Sequence, residues 1–198
     1  MLKEKQFINL QKSCEKCEKC NLYKTRNKLV FGKGNINSKL LFIGEAPGEK
    51  EDIEGIPFIG RAGKYLDKLL NSINLTINDI YIGNILKCRP PKNRNPNKTE
   101  IENCTPNLIK QIEIINPKII ITLGNYATKF VLNNFKTEKM QKIEGISKLH
   151  GKIKKIKLKN ENEIIIFPIY HPAASFYKPK LKEILETDFK KISKILNY

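Results

Sequence analysis

The chain of 198 residues contains no tryptophan, two histidines and two methionines. It has no apolar run near the roughly 20 residues that a membrane span requires. Its N-terminus, MLKEKQFINLQKS, lacks the apolar centre of a secretory signal. The expectation is a cytoplasmic protein with no membrane partner. Carboxylates are present but not gathered as metal-assisted hydrolysis demands, which argues against a zinc-stapled nuclease. Arginine is scarce too. Of 37 basic residues, all but Arg26, Arg61, Arg89 and Arg94 are lysine. Where lysine is the default cation, an arginine points to planar, bidentate contact with phosphate.

What is there begins with charge. A formal net charge of +17 and a pI near 9.6 point to a polyanionic partner such as nucleic acid. A Lys-, Ile- and Asn-rich composition of the kind an A/T-rich genome encodes explains the same charge, and composition alone does not choose between them. The length suits one domain, 1–198, with a substantial core.

One stretch organises the chain, KLLFIGEAPGEKEDIEGIPFIGRAGKYLDKLL from Lys39 to Leu70. Leu40-Leu41-Phe42-Ile43 reads as a buried strand. It breaks at Gly44 into the loop Glu45-Ala46-Pro47-Gly48, and after an acidic segment Pro57-Phe58-Ile59-Gly60 leads into a helix from Arg61, with Tyr65, Leu66, Leu69 and Leu70 inward. Loops at the carboxyl ends of such strands are where ligands bind in open α/β sheets. Gly60 and Gly63 would let main-chain amides approach a phosphate.

The remaining elements follow in order. Residues 1–13 read as a helix with Leu2, Phe7, Ile8 and Leu10 as its stripe. Ile80 to Leu86 is a second strand, carrying the polar Asn84, which either bonds a neighbouring backbone or reads a ligand. The loop KCRPPKNRNP is too rich in proline for regular structure. Thr99 is expected to cap a helix that Thr105-Pro106 restarts or kinks. Lys118 to Leu123 is a third strand, followed by a helix from Asn125 to Asn133. Lys152 to Tyr170 reads as an edge hairpin turning at Asn160-Glu161-Asn162. Its second strand delivers His171-Pro172-Ala173-Ala174, and a helix from Lys180 to Leu196 closes the domain. His150 has no motif around it and is assigned to the surface. Alternating strands and helices predict a three-layer α/β/α sandwich with a mainly parallel sheet.

Five cysteines, Cys14, Cys17, Cys20, Cys88 and Cys104, are an odd number, which favours metal ligands or reactive thiols over disulfides. Cys14 to Cys20 gives two overlapping C-x2-C pairs, either able to grip a metal or cluster.

The cysteine pair, GEAPG with PFIGRAG, Asn84 with Cys88 and Cys104, and HPAA together resemble the family 4 uracil-DNA glycosylases, the iron–sulfur-containing thermostable type. The resemblance runs from about Cys17 through the final helix. It implies hydrolytic removal of uracil from DNA, single- or double-stranded, by a monomer holding a structural [4Fe-4S] cluster and needing no added divalent metal. By that match the cluster ligands are Cys17, Cys20, Cys88 and Cys104, two of them on an N-terminal arm spanning 1–34. Cys14 is then an extra, although spacing alone allows Cys14 with Cys17 equally. Zinc is the other reading of four thiolates, disfavoured because the C-x2-C, C-x67-C, C-x15-C layout has no second short pair.

Carried over further, Phe58 stacks on the flipped base, Asn84 reads its O4 and N3–H edge, and Glu45, Ala46 and Pro47 line the pocket. His171 stabilises the leaving uracil. The aspartate that positions water in family 1 enzymes is matched here by Ala46, leaving Glu51 as a candidate substitute. Gly60, Arg61, Gly63, Arg89 and Arg94 become candidates for phosphate contacts, and Phe176 for a wedge or a core residue. The covalent-trapping relatives carry a His-containing loop where KCRPPKNRNP has none. A non-catalytic iron–sulfur DNA-binding module of a repair or replication complex is the alternative from another class.

Overall fold

The computed structural model describes residues 2–157 and 163–196. Six strands form one sheet: β1 (Lys33–Gly34), β2 (Leu40–Gly44), β3 (Ile80–Asn84), β4 (Ile119–Leu123), β5 (Lys154–Lys157) and β6 (Glu163–Ile169), in the order β1-β3-β2-β4-β6-β5. The four central strands are parallel, and the edge strands β1 and β5 run antiparallel to their neighbours. Both the α/β sandwich and the edge hairpin are therefore as expected. The hairpin's proposed turn at Asn160 to Asn162 lies outside the described residues.

The helices are α1 (Leu2–Glu15), α2 (Glu49–Glu54), α3 (Arg61–Asn71), α4 (Lys98–Ile115), α5 (Gly124–Leu132), α6 (Ile146–Leu149) and α7 (Lys180–Leu196). Strand residues alternate between two cores. Leu41, Ile43, Tyr81 and Ile120 pack with α1, α4 and α5, while Leu40, Phe42, Ile82 and Ile121 pack with α3 and α7. Every residue of the central strands β2, β3 and β4 is buried, as a sheet covered on both faces requires. The chain passes from β2 to β3 on one side and then to β4 on the other. The resulting switch point opens a crevice at the carboxyl ends of the strands.

Local chemistry revises several expectations. In α1 the buried stripe is Phe7, Leu10 and Cys14, spaced by three and four, and Leu2 and Ile8 are exposed. Asn97, not Thr99, caps α4: its side chain accepts from the Glu100 amide while Glu100 returns the bond to the Asn97 amide. Pro106 is carried inside α4, which runs unbroken. The acidic segment after Gly48 is the short helix α2, whose buried Asp52 accepts from the Asn27 main-chain amide. His150 is not a plain surface residue. Its Nδ1 lies 2.8 Å from Oδ2 of the buried Asp188, and its ring packs 4.9 Å from that of Tyr170.

Candidate active site

At the carboxyl ends of β2, β3 and β6 lies a pocket of about 400 Å³, lined by Glu45, Ala46, Pro47, Phe58, Asn84 and His171 and completed by Glu51, Arg94 and neighbouring residues. Residues from four separate stretches of the chain thus meet. Asn84 ends β3 and is 2 % exposed. Its Oδ1 is buried and has no hydrogen-bond partner among the described residues. Such an acceptor costs about 1–3 kcal/mol unless something donates to it.

The pocket's shape depends on two glycines. A Cβ on Gly44 would lie 2.4 Å from Asn84 Oδ1 and 2.8 Å from the Phe58 ring. Phe58 itself adopts φ +52, unusual for a bulky residue. Its carbonyl accepts from Lys33 Nζ at 3.1 Å and presses on α3 at Gly63, where a Cβ would come within 1.9 Å of that oxygen. Gly63 therefore seats the Phe58 bend. It is buried. The ring of Phe58 stands 6.1 Å from that of His171 at 30°.

His171 Nδ1 accepts from the Ala173 main-chain N–H at 3.2 Å, which leaves the proton of a neutral ring on Nε2. Burial pushes its pKa down to about 4, with the nearby Glu51 opposing that shift. At neutral pH the side chain is an uncharged donor. Gly124, at φ +89, lets the chain pass close to His171; a Cβ there would meet the histidine Cβ at 3.0 Å. Glu45 is half-buried, and burial raises its pKa.

Glu51 is neither a solvated residue nor free. Its Oε1 accepts the main-chain amides of Ile59 at 3.1 Å and Gly60 at 2.8 Å, so a carboxylate already occupies the start of α3 where a phosphate was expected at Gly60. The arginines also have partners. Arg94 forks onto both carboxylate oxygens of the buried Glu100. Arg89 donates to Asn93 at 2.7 Å and lies 3.7 Å from Glu49. Arg61 stacks 4.1 Å above the Phe176 ring, which also faces Tyr65. These two line a second, strongly basic pocket with Lys50, Lys64, Lys68 and Lys182. Phe176 is engaged in that stack, whereas its neighbour Tyr177 is 86 % exposed.

A separate cavity is lined by Cys17, Cys20, Cys88 and Cys104, and Cys14 instead joins the core beneath α1. Arg26 closes one side, donating to the carbonyls of Glu15 and Cys17 and to Cys88 Sγ at 3.5 Å. Lys87 closes the other and is 1 % exposed. Burial raises the pKa of Cys20 and Cys88 and pushes that of Cys104 up to about 12, so thiolates here require a bound cation. Among the described residues no three His, Cys, Asp or Glu side chains close around the position of a single ion. Four thiols lining one cavity are a donor set of the kind an iron–sulfur centre takes.

Sequence reasoning missed Lys33, Lys87 and the role of Arg26. Arginine scarcity had flagged Arg26, but for phosphate.

The model of the uracil DNA glycosylase superfamily matches residues 31–197. The chain belongs to that superfamily. Several similar relatives are type-4 uracil-DNA glycosylases. A type-4 uracil-DNA glycosylase of Saccharolobus solfataricus is 48% identical over 92% of this chain and 82% of its own length. Those of Sulfurisphaera tokodaii and Archaeoglobus fulgidus are 47% and 44% identical over 90% of this chain, and over 80% and 87% of their own lengths. Family and fold both agree with the resemblance drawn from the motifs.

Proposed function

We propose that this protein excises uracil from DNA, hydrolysing the N-glycosidic bond and leaving an abasic site. The observation that carries the reading is the buried Oδ1 of Asn84, unpartnered among the described residues, in one pocket with the Phe58 ring and a neutral histidine. Uracil presents an N3–H donor beside the O4 acceptor, the complement of one carboxamide. Cytosine reverses that order. The target nucleotide leaves the stack to reach the pocket, where Phe58 packs on its face and Glu45 crowds the carbon that bears thymine's methyl group.

As the C1′–N1 bond breaks, its electron pair passes to the base and negative charge collects on O2. The His171 Nε2–H donates to that oxygen. One preorganised donor of this kind contributes on the order of 3 kcal/mol. Water adds to C1′ and loses a proton. In this reading Glu51, whose Oε1 accepts two main-chain amides on the pocket wall, orients that water. The DNA strand follows the basic pocket around Arg61 and Lys64.

Cys17, Cys20, Cys88 and Cys104 hold a [4Fe-4S] cluster in this reading. The cluster, when bound, supplies a structural tie between the N-terminal arm and the Pro-rich loop. Iron content tests the ligand set: Cys14→Ser should retain iron and Cys17→Ser should lose it, and the reverse would move the pair upstream.

The function is tested by incubating a single-uracil oligonucleotide with anaerobically purified protein in EDTA. Free uracil and an abasic strand are the expected products. No release, with tight and salt-sensitive DNA binding retained, would replace the enzyme with a DNA-binding module.

A further inference from the structure

Lys87 is the largest charged side chain in the fully buried core, 1 % exposed. A buried ammonium is strongly unfavourable unless it is bonded and its charge is balanced. Among the described residues its Nζ donates to a neutral group, the Asn84 carbonyl, at 2.8 Å. Lys87 shares a cavity with Cys17, Cys20, Cys88 and Cys104, whose thiolates, when they hold a metal centre, are the anions that balance it. The next residue in the chain is Cys88, one of those four thiols. The Lys87 carbonyl accepts from the Val30 amide at 2.8 Å, which ties the N-terminal arm to the same residue. Four residues, Asn84 to Lys87, therefore bridge the uracil pocket and the cysteine centre, and one side chain spans the gap.

We infer that Lys87 is a positioning residue coupling the two sites: its ammonium balances the negative charge of a thiolate-held cluster and, from the same place, anchors the main chain that aims the Asn84 carboxamide. The inference rests on the site reading above. It adds that base recognition depends on a cation held by the metal centre.

The test uses the iron-loaded protein and two variants. Lys87→Met keeps the stem and removes both charge and donor; Lys87→Gln, a polar alternative if the first does not fold, removes the charge. Three quantities are read: iron per chain, the reduction potential of the cluster, and the affinity for free uracil by calorimetry. Loss of a neighbouring cation disfavours an added electron, so the potential should move to more negative values. Release of the Asn84 anchor should weaken uracil binding about tenfold, the effect of one hydrogen bond. Lys19→Met, at the exposed rim of the same cavity, is the control and should leave uracil affinity unchanged. An iron-replete Lys87 variant with wild-type potential would overturn the inference, as would one with wild-type uracil affinity. Uracil release from DNA by the wild type, measured in parallel, reports on the proposed function separately. If that fails while the potential of the variant still shifts, the function reading falls and the charge-balancing role stands.

Discussion

Asn84 and Asp188 are buried alike, 2 % and 1 % exposed, yet their polar atoms are treated in opposite ways. Both oxygens of Asp188 are bonded, one to His150 at 2.8 Å and one to Lys191 at 3.1 Å. Gly151 makes room for them, since a Cβ there would lie 2.2 Å from Oδ1. Among the described residues the Oδ1 of Asn84 has nothing to accept from. The two histidines repeat the contrast. His150 is tied to a carboxylate, and His171 uses one nitrogen on its own turn and leaves the other as a donor in the pocket. A satisfied buried cluster holds the fold. An unsatisfied acceptor beside an uncharged donor is a recognition surface maintained at some cost in stability.

Substitutions in the two regions should therefore move different observables. His171→Ala should show the largest effect, lowering single-turnover uracil release about 10²–10³-fold while shifting the melting temperature little. Asp188→Ala should do the reverse: chemical denaturation should show a loss of roughly 2 kcal/mol, with the rate per folded molecule unchanged. If Asp188→Ala abolished release without destabilising the protein, the division between the regions would be wrong. Gly44→Ala stands between them. Its methyl group would press on both Asn84 and Phe58, so about 1–3 kcal/mol of stability and at least tenfold in uracil affinity should be lost together.

The last contrast is in pH dependence. In the folded protein His171 has its pKa pushed to about 4 from an ordinary 6.5. Between those values the unfolded chain takes up a proton that the folded chain refuses. Its contribution to stability is therefore complete above pH 6.5 and lost as the pH falls toward 4, by up to about 1.4 kcal/mol per unit. His171→Gln should flatten the stability profile in that window and nowhere else. No inflection from His171 should appear in the wild-type rate at neutral pH.

The loops of the site were legible in the sequence because apolar runs mark the strands and the glycine and proline that end them mark the turns. Which of their residues matter, Glu45, Ala46, Pro47, Phe58, Asn84 and His171, came from the family resemblance. What escaped was partner choice across the chain. Gly60 and Gly63 advertise close approach, but only the fold reveals that a carboxylate and a carbonyl approach them, from Glu51 and Phe58. Arg26 reaches Cys88 across 62 positions, and His150 meets Asp188 across 38. Lys87 read as one more lysine at the head of a basic loop. Nothing in its neighbours' identities signals that the side chain turns inward to the Asn84 carbonyl, because burial of a cation depends on which thiols the fold brings to it.

The central claim is that the free acceptor of Asn84 reads a donor on the base. It is tested most directly by titrating the protein with uracil and with 3-methyluracil, which keeps the ring and both carbonyls and replaces N3–H with a methyl group. Binding of uracil alone, lost in Asn84→Ala, is the predicted result. Equal binding of both, or uracil binding that survives Asn84→Ala, would contradict it.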